Sequence, residues 1–269
     1  MSEITFSFGE NWRDFLSVAD ERAIELARAD ITQWLGPDGF EKQRFLDIGC
    51  GSGLHSLAFH LGGASELVSF DYDPHSVSAT TTLWEKAGRP ENWTVLHASI
   101  LDDAFVATLG TFDVVYAWGV LHHTGSMWKA IENAFALTAE GGVCWLALYQ
   151  KGPRYPRDLA LKKRFNRASP VRKKLMIWRF VLRTMAYRAR HGRNPLRWNE
   201  RKARGMDTYH DIIDWLGGLP YEVATVDEVV EAARPHGFEP IEVLEVSEGG
   251  CSVVTLRRSG VRRARGGTP

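Results

Sequence analysis

Cysteine is scarce in this chain. Cys50, Cys144 and Cys251 form an odd set in 269 residues, with no C-x-x-C pair, so neither a disulfide framework nor a zinc ribbon is expected, and no metal. Each reads as a buried thiol. Long apolar runs are missing as well: none approaches the roughly 20 residues that span a bilayer. The start, Met1-Ser-Glu-Ile, lacks the basic and apolar regions of a signal peptide. The expected location is the cytosol. A 44% hydrophobic content is ordinary for a globular chain able to bury a sizeable core.

Net charge is absent, with 33 Lys and Arg against 33 Asp and Glu, but the balance hides an asymmetry. Residues 151–220 hold nineteen Lys and Arg and five Asp and Glu, about +14, which leaves about −14 for the rest. Two different surfaces are being built.

The most informative segment is Phe45-Leu-Asp-Ile-Gly-Cys-Gly-Ser-Gly53. Its apolar lead-in from Arg44 to Ile48 reads as a short buried strand, and Gly49, Gly51 and Gly53 let the following turn pass close to a ligand. A dinucleotide-binding turn has the spacing G-x-G-x-x-G, which would need a glycine where Leu54 stands. The spacing here is G-x-G-x-G. About 20 residues on, a second apolar run, Glu66-Leu-Val-Ser-Phe-Asp71, ends in a carboxylate able to accept two hydrogen bonds from a ribose diol. Asp73-Pro74 then reads as the cap and first turn of a helix.

Further elements follow by periodicity. Helices are expected before the first strand over 20–34, from about Ser56, through Trp84 and Lys86, and from Met127 to Ala139, stopped by Glu140-Gly-Gly142. Strands are expected over 93–98, 112–117 and 143–149. Asp102 and Asp103 read as helix caps. Thr225 with Glu228 is a capping-box pattern for a helix reaching His236. Ile241–Val246 and Ser252–Leu256 are joined too closely for parallel neighbours. The expected fold is therefore α/β and Rossmann-like: a seven-stranded, mostly parallel sheet ending in an antiparallel hairpin, with a helical insert.

An apolar strand, an acidic residue at Asp47, the G-x-G-x-G turn and Asp71 together resemble the class I S-adenosylmethionine (SAM) dependent methyltransferases. The segment Trp118-Gly-Val-Leu-His-His-Thr-Gly125 is similar to the small-molecule enzymes of the ubiquinone and menaquinone biosynthesis type, in which an apolar strand ends in Leu-His-His. The likeness covers most of 45–149. It implies SAM as cofactor, held by Asp47, Gly49, Cys50, Gly51, Gly53 and Trp118, with Asp71 on the ribose and Tyr72 against the adenine. Ser99 and Ile100 take the place of the adenine-edge contact, although many relatives carry Asp where Ser99 stands. Asn11 and Trp12, in an aromatic chain start, are the lid candidates.

Methyl transfer requires an acceptor held near attack distance and, for a hydroxyl, a proton acceptor. His123 leads His122 for that role, while the alternative makes one imidazole a turn-shaping group and the other a pocket wall. Tyr209 and His210 are further candidates on a cap helix. The chain divides into an N-terminal lid segment (1–42), a SAM-binding core (43–150), a basic helical cap (151–220), the remainder of the core (221–258) and a disordered tail (259–269). Within the cap, Val171, Leu175, Trp178, Leu182 and Met185 form a stripe expected to pack against the sheet domain. The functional expectation is methyl transfer to oxygen or nitrogen of a small metabolite, an anionic one being suited to the basic insert. A tRNA or RNA methyltransferase and a non-catalytic SAM-binding protein are the alternatives. Nucleic acid is disfavoured by the lack of an Asn/Asp-Pro-Pro-Tyr segment or a Pro-Cys pair in the fourth-strand region, and peripheral membrane contact ranks below a small-molecule partner.

Overall fold

The computed structural model describes residues 21–36, 39–200 and 207–260. Seven strands form one sheet in the order β3-β2-β1-β4-β5-β7-β6. The strands are β1 (Arg44–Ile48), β2 (Glu66–Asp71), β3 (Trp93–His97), β4 (Phe112–Trp118), β5 (Thr138–Tyr149), β6 (Phe238–Leu244) and β7 (Cys251–Arg258). Strands β1 to β5 pair in parallel, whereas β7 lies antiparallel between β5 and β6. The expected class and the C-terminal hairpin are both present.

Helices wrap both faces because β1, β2 and β4 are apolar on both sides. On one face α1 (Glu21–Leu35), α2 (Leu54–Leu61) and α3 (Pro74–Lys86) bury Ile31, Leu57, Phe59 and Leu83 against Phe45 and Trp145. On the other, α4 (Asp103–Leu109), α5 (Met127–Ala136) and α9 (Val226–Ala233) cover Leu46, Ile48, Val115 and Leu146. Local rules explain the helix starts. Asp73 and Asp102 accept from the first backbone N–H groups of α3 and α4, and Thr225 and Glu228 form the reciprocal capping box of α9.

Several boundaries differ from expectation, among them β6, which runs over Phe238–Leu244. Helix α2 begins at Leu54, because Gly53 caps it in the left-handed region. Helix α5 stops at Ala136 and β5 begins at Thr138, so Gly141 and Gly142 lie inside the strand. There the register against β4 shifts, and a Cβ on Gly142 would meet the carbonyl oxygens of Ala139 and Asp113 at 2.9 Å. Those glycines serve a bulge and not a helix stop. Cys251 is only half-buried.

Between β5 and α9 the chain forms α6 (Tyr155–Asn166), α7 (Pro170–Arg190) and α8 (Thr208–Gly217), which share a small core of Phe165, Ile177, Val181, Ile212 and Leu216. Helix α7 carries the expected stripe, but the face it buries is another one. Val171, Leu175, Trp178 and Leu182 are exposed, while Ile177 and Val181 are buried. The helix carries apolar residues on two faces, and the inner one packs on α6 and α8. No helix among the described residues is long and apolar enough to cross a membrane.

The capping box gives the fold its local test. Thr225→Ala removes the acceptor for the Glu228 amide, so unfolding free energy by urea titration should fall by about 1 kcal/mol with an unchanged m-value.

Candidate active site

The C-terminal tips of the parallel strands open into one cavity of about 1330 Å³, where open α/β sheets bind ligands. This exceeds the roughly 300–1,000 Å³ typical of a pocket for one small molecule. It has room for two.

One end is built by the β1–α2 turn. Gly49 has a positive φ, and a Cβ there would collide with the Val120 side chain. Gly53 also has a positive φ, and a Cβ would come within 2.8 Å of Thr80. These two glycines therefore permit close packing, and Gly53 is not part of the cavity wall, whereas Asp47, Gly49, Cys50 and Gly51 are. Asp47 is buried and accepts from Ser56 Oγ, which in turn contacts Ser69 Oγ at 2.7 Å, while Trp93 Nε1 donates to Ser69 Oγ at 2.9 Å. That chain fixes β1, β2, β3 and α2 together around a polar core.

Asp71 stands at the tip of β2. Its Oδ2 accepts from Gly51 N at 3.0 Å and its Oδ1 from Asp73 N at 2.9 Å. Burial pushes its carboxyl up to about 6, with the Asp73 and Gly51 amides pulling the other way. Tyr72 beside it is 75% exposed on the cavity rim. Ser99 and Ile100 line the same end, but the Ser99 hydroxyl already accepts from Leu101 N at 3.2 Å. Trp118 closes the wall at the end of β4.

The other end is built by the turn after β4 and by the cap. His122 and His123 fall in a short 3₁₀ turn over Leu121–His123, and both line the cavity. His122 Nδ1 accepts from Tyr149 N at 3.3 Å, and its carbonyl accepts from Glu222 N at 3.0 Å. Its Nε2 is buried with no hydrogen-bond partner among the described residues. His123 Nδ1 lies 2.6 Å from the Pro220 carbonyl, which places the proton on Nδ1 and the lone pair on Nε2. Burial, together with the nearby Lys162, lowers the His123 imidazolium to about 3, and His122 is lowered as well. Both rings are neutral at pH 7. Gly218 must lack a side chain, because a Cβ there would lie 3.0 Å from His123 Nε2.

Helix α8 turns Asp211, Ile212, Asp214 and Trp215 toward the cavity. Tyr209 and His210 lie outside its wall: His210 Nδ1 is 2.7 Å from Asp207 Oδ2, in the N-terminal cap of the same helix. The insert's described Lys and Arg side chains are also absent from the cavity wall. No Lys or Arg lines the cavity among the described residues, whereas Asp47, Asp71, Asp73, Asp211 and Asp214 do. Asn11 and Trp12 lie outside the described residues.

The sequence carried no signal for Lys162. It is fully buried, its Nζ donates to the Trp215 carbonyl at the end of α8, and it sits 5.0, 4.7 and 4.5 Å from the ring centroids of Tyr149, Trp215 and Tyr221. Cation–π contacts and a helix C-terminus favour the ammonium, but burial dominates and lowers it to about 7.

Residues 46–144, the β1–β5 core, match the model of a methyltransferase domain family. The match takes in less than half of the chain and marks these residues as similar to a methyltransferase domain. Ubiquinone biosynthesis O-methyltransferase of Psychrobacter arcticus is 29% identical over 117 residues, 43% of this chain and 44% of that protein. The chain thus matches less than half the length of this curated relative. Magnesium protoporphyrin IX methyltransferase of Synechocystis PCC 6803, solved with bound SAH, superposes with a TM-score of 0.56 at 15% identity, covering 93% of this chain and 94% of that one. N-methyltransferase NodS of Bradyrhizobium japonicum WM9 gives 0.52 at 13% identity, covering 94% and 98%. These two likenesses establish the methyltransferase fold beyond the matched segment.

Two measurements follow from the site. SAM affinity by calorimetry should hold between pH 7 and 8 and fall as pH drops through about 6, where Asp71 protonates; Asp71→Ala should weaken it at least about tenfold at pH 7.5. For Lys162, the unfolded chain binds more protons than the folded one between pH 7 and the ordinary lysine value. Stability should therefore rise from pH 7 to about 9, and Lys162→Met should abolish that rise in thermal melts.

Proposed function

We propose that this chain transfers a methyl group from SAM to an oxygen or nitrogen of a small, uncharged, largely apolar metabolite. The observation that carries the reading is the single cavity joining the Asp71 end to the His123 end, walled by Trp118, Tyr149, Phe180, Ile212, Trp215 and Leu219 and by no cationic side chain among the described residues.

When bound, SAM supplies an electrophilic methyl on a positively charged sulfonium. In this reading Asp71 accepts from the ribose hydroxyls, the turn at Gly49–Gly51 receives the remainder of the cofactor, and Tyr72, Ser99 and Ile100 border the adenine. Five aspartates around the cavity suit a cationic cofactor and disfavour an anionic acceptor. The cap side chains exclude water and orient the acceptor, which is most of what an in-line displacement requires.

The reacting oxygen or nitrogen forms a bond to the methyl carbon as the carbon–sulfur bond breaks. Its own proton then becomes more acidic as it gains positive charge. In this reading His123 Nε2 receives it. An imidazole lowered to about 3 is too weak to ionise a resting hydroxyl, so the proton moves with the methyl and not before it. Pro220 and Gly218 hold the ring in that tautomer and orientation. His122 serves as a positioning residue between β4 and β5.

Names of similar proteins span oxygen and nitrogen acceptors, so the atom is decided by experiment. Purified protein incubated with methyl-labelled SAM and fractionated cell extract should place label in the small-molecule or lipid fraction. His123→Ala should cut that labelling at least about tenfold while calorimetric SAM affinity stays unchanged. Label in nuclease-sensitive material would replace the reading with an RNA methyltransferase.

A further inference from the structure

The outward face of α7 has no role in the cavity. Val171, Leu175, Trp178 and Leu182 recur at intervals of four, three and four residues, so they form one stripe along the helix. Each is more than half exposed: 69, 66, 52 and 60%. Single exposed apolar residues are ordinary, but an aligned row including a tryptophan is not. Leu175, Trp178 and Leu182 border a shallow surface depression together with Arg179, Arg183 and Ala186.

The charge beside that row has one sign. Arg172, Arg179, Arg183 and Arg190 recur at intervals of seven, four and seven, which aligns them as a ridge along one edge of the stripe, and all four are exposed. From Arg167 to Asn199 the chain has ten Lys and Arg and no Asp or Glu. The inner face is already used, with Ile177 and Val181 buried in the cap core.

We infer that the outer face of α7 docks on an anionic lipid surface, its Leu and Trp side chains entering the headgroup boundary and its arginine ridge meeting lipid phosphates. An apolar row edged by cations is the composition of an interfacial helix. A second copy fits less well, because a two-fold contact through this face would set arginine ridges close together with no carboxylate on the helix to offset them. Nucleic acid would engage the ridge and leave the apolar row exposed to water. The inference does not depend on the reaction, although Phe180 of the same helix lines the cavity, so docking would hold the cap beside the bilayer.

The test is co-sedimentation of the full chain with vesicles of equal parts phosphatidylglycerol and phosphatidylcholine, against vesicles of phosphatidylcholine alone. Binding should require the anionic lipid, weaken as salt is raised, and fall at least about tenfold in Leu175→Asp/Leu182→Asp, with SAM affinity by calorimetry unchanged as the control for folding. Arg179→Glu should weaken it separately. No binding to anionic vesicles, equal binding to neutral ones, or binding untouched by the double substitution would overturn the inference. So would a vesicle-inert dimer that the same substitutions split, which would make a second copy the occupant.

Discussion

The close approach of the β1–α2 turn to the turn after β4 is the constraint on which the site depends. Gly49 lies beneath the Val120 side chain, and Val120 leads directly into the 3₁₀ turn that carries His122 and His123. A side chain at 49 would push these two strand exits apart, and with them the cofactor turn and the histidines. Asp71 ties the same turn to the tip of β2 through the Gly51 amide. That carboxylate is therefore held by the backbone it helps to shape, before any ligand arrives. Burial raises its proton affinity, and the two amides keep it usable near neutral pH.

One buried residue of the cap joins several elements. Lys162 bridges from α6 to the last turn of α8 while its ammonium lies among Tyr149, Trp215 and Tyr221. Asn166, one turn further along α6, donates to the Gly217 carbonyl at 2.7 Å. Tyr149 ends β5 and also donates its amide to His122. The lysine, the β5 tip and the histidine turn thus form one contiguous unit. The same ammonium makes protonation of either histidine costly, so cap closure and a neutral His123 come from one arrangement.

What could be read from the chain divides along the range of the interaction concerned. The β1 and β2 strands, the Asp73 and Thr225 caps and the C-terminal hairpin depend on neighbours within a few residues, and all were legible. The start of β5 was not, because Gly141 and Gly142 signal a helix stop locally, whereas the bulge against β4 is decided by a partner strand. On α7 the periodicity picked the longer row of apolar residues, and packing used the shorter pair, Ile177 and Val181, backed by Met176 and Phe180. A helix apolar on two faces has no inside until its neighbours are known. Lys162 shows the limit most plainly. Its importance lies in three rings and a carbonyl from other elements, and nothing near it in sequence marks it.

The location of charge carries the last step. Read as a composition, the insert is strongly basic, and a basic cap over a pocket suggests an anionic ligand. In three dimensions the sign inverts across the cap: Asp211 and Asp214 face the cavity, and the arginines of α7 face outward. The two signs are kept apart by Ile177, Val181, Ile212 and Leu216, which form the apolar layer between them. The buried Lys162 is held beside that layer by aromatic rings and a carbonyl oxygen. A net charge summed over a segment is therefore the wrong quantity for inferring what a site binds. The relevant quantity is the charge on each face: among the described residues the inner face carries carboxylates and the outer face of α7 carries arginines.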